Sequence, residues 1–261
     1  MRTTTRRKVL KYGVLTLAGM TLVALLTKIL KPSSDESQFA IELIDNIQIT
    51  PSEEIWSLAI SPNGQTLVSS SEDENIRSWN LTTGETKGII FAHNEIVYAL
   101  AFSPDGQVFA SAGKDKRIKI WNAQDRSQLG LLQGHQDAVR AIAISPDGQY
   151  LVSGSWDKTV KVWQLESGEL ITTFEGHQDR VVTVAISNDS QVVFSGSIDN
   201  TIKVWSIKEA QLITTLSQHD DWVLALATSQ QKNLLVSSGK DSTLKLWQYQ
   251  SIELLQKFFM V

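Results

Sequence analysis

Five tryptophans, Trp79, Trp121, Trp163, Trp205 and Trp247, stand 42 residues apart without a slip, and few features restrict a fold so tightly. All four histidines of the chain keep the same step, at His93, His135, His177 and His219. So do five serines (Ser69, Ser111, Ser153, Ser195, Ser237) and five aspartates (Asp73, Asp115, Asp157, Asp199, Asp241). A fixed period of about 40 to 45 residues closing on a tryptophan marks an array of small four-stranded sheets. None of these can bury both of its apolar faces without a neighbour.

The third unit shows how one such sheet is written. His135 opens an apolar run that ends at Ile144, and Ser145-Pro146-Asp147-Gly148 follows. There proline and glycine supply the fixed and the positive backbone angles of a tight turn. The next stretch runs to Asp157, and Thr159–Trp163 alternates with the period of two expected of a strand. Gly168–Phe174 supplies the outer strand. The same turn recurs as Ser61-Pro62-Asn63-Gly64 and Ser103-Pro104-Asp105-Gly106, then decays to Ser187-Asn188-Asp189-Ser190 and Ser229-Gln230-Gln231-Lys232.

On these motifs the chain resembles the WD-repeat (WD40) β-propeller family from about residue 39 to residue 261. The resemblance implies an all-β fold: a five-bladed WD40-type propeller, open or imperfectly closed, preceded by one N-terminal hydrophobic helix. The family pattern is broken in one place. The aspartate that usually follows the strand-ending tryptophan is replaced by Asn80, Asn122, Gln164, Ser206 and Gln248.

Serine, histidine and aspartate brought together by a fold invite a catalytic interpretation, with serine as nucleophile and histidine as base. Repetition argues against it. The set occurs in full as His93, Ser111, Asp115, Trp121; as His135, Ser153, Asp157, Trp163; as His177, Ser195, Asp199, Trp205; and as His219, Ser237, Asp241, Trp247. One reaction needs one site. The resemblance implies a structural tetrad in each unit, a hydrogen-bonded chain from indole through serine and imidazole to carboxylate, and no catalytic residue. The first unit keeps Ser69, Asp73 and Trp79 but carries Thr50 or Pro51 at the histidine position, so it is expected to be the least protected.

Closure of the ring is open on sequence grounds. Leu254, Leu255 and Phe258 align with Leu212, Ile213 and Leu216 and would complete the last sheet, yet Glu42–Ile47 resembles Glu169–Phe174 and competes for the same edge. An open arc would expose apolar faces and favour self-association.

Three tryptophans fall outside the period, Trp56, Trp156 and Trp222. The spacing of Val139, Ile142 and Ile144 implies a bulge that turns the residue after Val139 out of the sheet. That column reads Trp56, Tyr98, Arg140, Val182, Leu224; neighbouring columns contain Arg180 with Trp222, and Trp156. In the family such columns look out near the channel mouth. Trp56, Tyr98, Arg140, Trp156, Arg180 and Trp222 are therefore the partner-binding candidates, set against the plainer alternative that Trp56 and Trp222 only fill a widened channel wall.

The ends and the charge supply the rest. Residues 1–31 contain seven Arg or Lys and no acid, so the net charge of −4 leaves −11 on the remainder. An acidic repeat domain without a basic stripe is poorly suited to nucleic acid. The absence of cysteine excludes disulfides and thiolate metal sites. Thr5-Arg6-Arg7-Lys8-Val9-Leu10-Lys11 resembles the twin-arginine export signal, with Val9 in place of the usual Phe, and sixteen uncharged residues follow from Tyr12 to Thr27. As a helix these reach about 24 Å against a hydrocarbon core of roughly 30 Å. A cleaved signal and a retained membrane anchor across residues 9–30 remain alternatives, with a basic amphipathic tail as the third. The expected organisation is a signal or anchor at 1–31, a linker at 32–38 and the repeat domain at 39–261, on the non-cytoplasmic side of a membrane (periplasm or an equivalent lumen). The function expected is a protein–protein interaction scaffold, non-enzymatic and without cofactor or metal. The alternative is an exported propeller hydrolase or dehydrogenase with a site in the central channel.

Overall fold

A computed structural model describes residues 54–229 and 231–249. Within them the chain forms nineteen β-strands grouped into five antiparallel sheets. Sheet one consists of β1 (Ile55–Ile60), β2 (Thr66–Ser71), β3 (Asn75–Asn80) and β4 (Thr86–Phe91). Sheet two follows with β5 (Val97–Phe102), β6 (Val108–Gly113), β7 (Arg117–Asn122) and β8 (Gln128–Gln133). Sheet three contains β9 (Val139–Ile144), β10 (Tyr150–Ser155), β11 (Val160–Gln164) and β12 (Leu170–Phe174). Sheet four contains β13 (Val181–Ile186), β14 (Val192–Ser197), β15 (Ile202–Ser206) and β16 (Gln211–Leu216). Sheet five comprises β17 (Val223–Thr228), β18 (Leu234–Gly239) and β19 (Leu244–Gln248). Each sheet is a meander in which every strand pairs with its sequence neighbour. Among the described residues no helix is long and apolar enough to cross a membrane. The segments expected to form the N-terminal helix, the linker and both candidate closing strands lie outside the described residues.

The sheets stack face to face, and each boundary has its own core. Val68 and Ile76 of sheet one meet Val97, Phe109 and Trp121 of sheet two; Val160 and Val162 of sheet three meet Val181, Val193 and Trp205 of sheet four. The other two boundaries repeat the pattern. Apolar residues on alternate positions of a strand share one face, so each unit offers one set to the sheet before it and another to the sheet after it. Inner strands follow one another in the order β1, β5, β9, β13, β17. Polar links cross between them: the Leu100 amide donates to Ser57 Oγ at 3.1 Å, and the Leu226 amide to Thr183 Oγ1 at 3.1 Å.

The bulge expected in each first strand is present in all five sheets. In sheet three Val139 pairs with Ser155 and Ala141 with Gly154, leaving Arg140 unpaired. The same jump skips Trp56, Tyr98, Val182 and Leu224. A second irregularity, just before the periodic tryptophan on the third strand, was not signalled by the sequence.

Candidate functional site

The periodic residues converge within each sheet. In sheet three the Trp163 indole donates to Ser153 Oγ at 2.9 Å, Ser153 Oγ lies 2.8 Å from His135 Nε2, and His135 Nδ1 lies 2.8 Å from Asp157 Oδ2. A carboxylate only accepts, so Nδ1 carries the proton and the chain has one direction, indole to serine, serine to imidazole, imidazole to carboxylate. The His177 set has the same links at 2.8, 2.7 and 2.7 Å, and the His219 set at 2.9, 2.8 and 2.7 Å. In the His93 set Asp115 takes the imidazole with both oxygens at 2.9 Å, His93 Nε2 lies 2.8 Å from Ser111 Oγ, and Trp121 donates to that oxygen at 2.8 Å. Ser111, Ser153, Ser195 and Ser237 are fully buried. A nucleophile that no substrate can reach has no chemistry to do, and the networks instead satisfy groups that would otherwise be orphaned inside the protein.

Burial alone would push these carboxyls up, but hydrogen bonds overcome it. Asp157 and Asp199 are held well below the usual carboxylate range by their histidines and by Thr159 and Thr201. The threonines were not foreseen: Thr159 Oγ1 donates to Asp157 Oδ1 at 2.7 Å, and Thr201 and Thr243 repeat the contact at 2.6 and 2.8 Å. Their spacing, two residues after the aspartate in three of five units, was the available signal.

Sheet one, expected to be the least protected, replaces the missing imidazole with a guanidinium. Arg77 Nη1 donates to Asp73 Oδ1 at 3.1 Å and to Ser71 Oγ at 3.3 Å, and Nη2 reaches Asp73 Oδ2. Burial raises the Asp73 carboxyl, yet Arg77 and Ser71 outweigh it and hold it at about 2. Arg77 is buried, as is Trp79, whose indole still donates to Ser69 at 3.2 Å. The sequence signal was a lone arginine in a column otherwise filled by Lys119, Lys161, Lys203 and Lys245. The residues that follow the tryptophans take up turn duty. Asn80 Oδ1 accepts from the amides of Thr82 and Thr83, and Asn122 Oδ1 from those of Gln124 and Asp125.

Five of the six partner candidates meet at the loop end of the inner strands. Trp56 and Tyr98 sit edge to face with ring centroids 5.2 Å apart, and Tyr98 lies 5.7 Å from Trp156. The Arg140 guanidinium lies over both Trp56 and Tyr98, at 5.5 and 5.2 Å, while Arg180 covers Trp156 at 4.7 Å. Burial lowers the Arg140 guanidinium below its ordinary value and raises the Tyr98 hydroxyl. Arg140 nonetheless remains a cation at any ordinary pH. The indole N–H groups of Trp56 and Trp156 are buried without a hydrogen-bond partner. Trp222 stands apart from this cluster, with the Lys240 ammonium over its ring at 4.0 Å.

Residues 55–224 match the family described as the second β-propeller of echinoderm microtubule-associated protein, and residues 210–248 match the WD domain, or G-beta repeat. The chain belongs to the WD-repeat β-propeller family. No curated protein matches it. WD-repeat propellers generally serve as protein-interaction scaffolds and are typically non-enzymatic. In this WD-repeat chain no group of three or more His, Asp or Glu among the described residues could hold a metal ion. A cleft of about 530 Å³ between sheets two and three, bounded by Pro104, Leu131 and Gly168, shares no residue with the aromatic cluster.

Proposed function

We propose that this WD-repeat protein is a non-enzymatic scaffold that holds a protein or peptide partner on Trp56, Tyr98, Arg140, Trp156 and Arg180. We further propose that residues 1–31 carry it to or across a membrane, with the repeat domain on the far side. The observation that carries the binding proposal is convergence. Residues from four sheets that vary between repeats, and that the scaffold does not require, form one cluster of rings covered by guanidiniums. Large rigid rings and arginine dominate interface hot spots because they bury much area at small entropic cost. Cation–π contacts fix them in advance of binding.

The test is co-purification with the full tagged chain carrying Trp156→Ala and Arg180→Ala together, beside an Asp105→Ala control at the separate cleft. The double variant should lose the specific partners while keeping the parent's thermal midpoint. Retention of the same partners by the double variant would overturn the assignment of this face.

A further inference from the structure

The third strand of every sheet presents two residues to the sheet that follows. In sheets two to four these pairs are Ile118 with Ile120, Val160 with Val162, and Ile202 with Val204, none of them more than 9% exposed. The corresponding pair in sheet five is Leu244 with Leu246, exposed at 48% and 59%. Nothing among the described residues stands in front of them, and β19 is also the last strand of its sheet. The opposite end of the array has the complementary defect. Ile186, on the first strand of sheet four, packs back into the core shared with sheet three, and Ile144 packs back against the core shared with sheet two. Ile60 holds that position in sheet one and is 58% exposed. No packing comparable to that between successive inner strands joins β17 to β1.

We infer that the chain self-associates head to tail, the Leu244/Leu246 face of one copy seating on the Ile60 face of a second. The reason lies in the four boundaries already made inside the molecule. Each joins the leading face of one unit to the trailing face of the next with apolar residues at the same repeat positions, Ser78 of sheet one excepted. Among the described residues the two end faces are the unmatched halves of a fifth boundary of that kind, so the surface that fits the open face of sheet five best is that of sheet one. Units of a repeat array need neighbours on both sides, and terminal units without a polar outer face cost solubility. Two different patches meeting make a heterologous contact, which closes into a ring or extends, according to its rotation. The contact uses neither Trp156 nor Arg180, so it stands or fails separately from the partner site.

Because the faces differ, the experiment can address them one at a time in the full chain. Molar mass is measured by light scattering over a concentration series for the parent, Leu246→Glu and Ile60→Glu, with thermal melts confirming that both variants fold. The parent should run at twice the monomer mass or above, and each variant alone as a monomer. An equimolar mixture of the two variants should recover a dimer, since one retains the trailing face and the other the leading face. A monomeric parent at every concentration, variants that keep the parent's mass, or a mixture that stays monomeric would each overturn the inference. The second outcome would place self-association in residues outside the repeats.

Discussion

Replacing Asp157 by alanine tests whether the recurrent networks hold the sheets together. Asp157 accepts four hydrogen bonds: from His135 Nδ1 and the Gln136 amide through Oδ2, both at 2.8 Å, and from the amide and hydroxyl of Thr159 through Oδ1, at 2.9 and 2.7 Å. Truncation does not orphan all of them. Gln136 is exposed and Thr159 half-buried, so water can take their donors. The His135 side chain is 1% exposed, and among the described residues its Nδ1 is left with the Thr159 hydroxyl at 3.3 Å, a long contact. The cost is therefore close to that of one buried donor left unpaired plus a lost charge-assisted bond, about 2–3 kcal/mol. For a domain of this size that is a fall in thermal midpoint of about 4–12 °C, or a drop of about 1 M in the urea midpoint. Asp157→Asn should fall between parent and alanine, because the amide oxygen still serves one side while the amino group meets donors on the other. The reasoning is refuted if Asp157→Ala unfolds at the parent's urea midpoint with an unchanged slope.

Arg77→Lys in sheet one should cost about 1–2 kcal/mol, because an ammonium cannot reach both carboxylate oxygens as the guanidinium does. The Asp73 carboxyl should then titrate above its value of about 2, which an NMR titration would read directly. Acid stability follows from the same depressed carboxyls. Their folded values lie below the ordinary 3.8, so their contribution is complete above about pH 5 and is lost as pH falls through the folded values, about 2 for Asp73 and lower still for Asp157 and Asp199. Urea midpoints should be flat from pH 7 to 5 on this account and fall steeply between pH 4 and 2, and a flat profile to pH 2 would contradict it. Gly154→Ala should destabilise by about 1–3 kcal/mol through overpacking, since an added Cβ would lie 2.7 Å from Val181 Cγ1 and 2.9 Å from Val184 Cγ1 on the facing sheet. A calorimetric midpoint equal to the parent's would show that the boundary can yield. Replacing Arg6 and Arg7 together by lysine should strand the protein in the cytoplasm, read by cell fractionation; unchanged export would remove the twin-arginine proposal.

What the sequence made legible, and what it hid, divides along the repeat. Trp163, Ser153, His135 and Asp157 could be read together because four of the five sheets solve the same problem of satisfying an indole and a buried imidazole, and four copies of one solution are hard to miss. The bulge was legible for a related reason: the skip between Val139 and Ile142 breaks strict alternation on a strand that otherwise keeps it, and only an extra residue restores the face. Arg77 was hidden because its role exists once, and it depends on a side chain reaching across a turn to Asp73, which no spacing rule foretells. Trp222 stands apart from the cluster for the opposite reason. It shares a repeat position with Arg180, but position equivalence is not proximity. Arg180 finds Trp156 on the preceding sheet, whereas the matching position beside Trp222 is Ile198, which offers no ring.

The same division bears on function. An array of identical units can present only a repeated surface, so discrimination between partners has to come from positions where the repeats disagree. The bulge column does this most sharply: Trp56 and Tyr98 meet edge to face, Arg140 lies over both rings, and Val182 and Leu224 then end the run. The aromatic cluster therefore lies at sheets one to three rather than at all five, and Arg180 over Trp156 extends it by a single step. A partner that binds here meets a one-sided edge of rings and guanidiniums. It should be oriented by that edge rather than by the frame that all five sheets share.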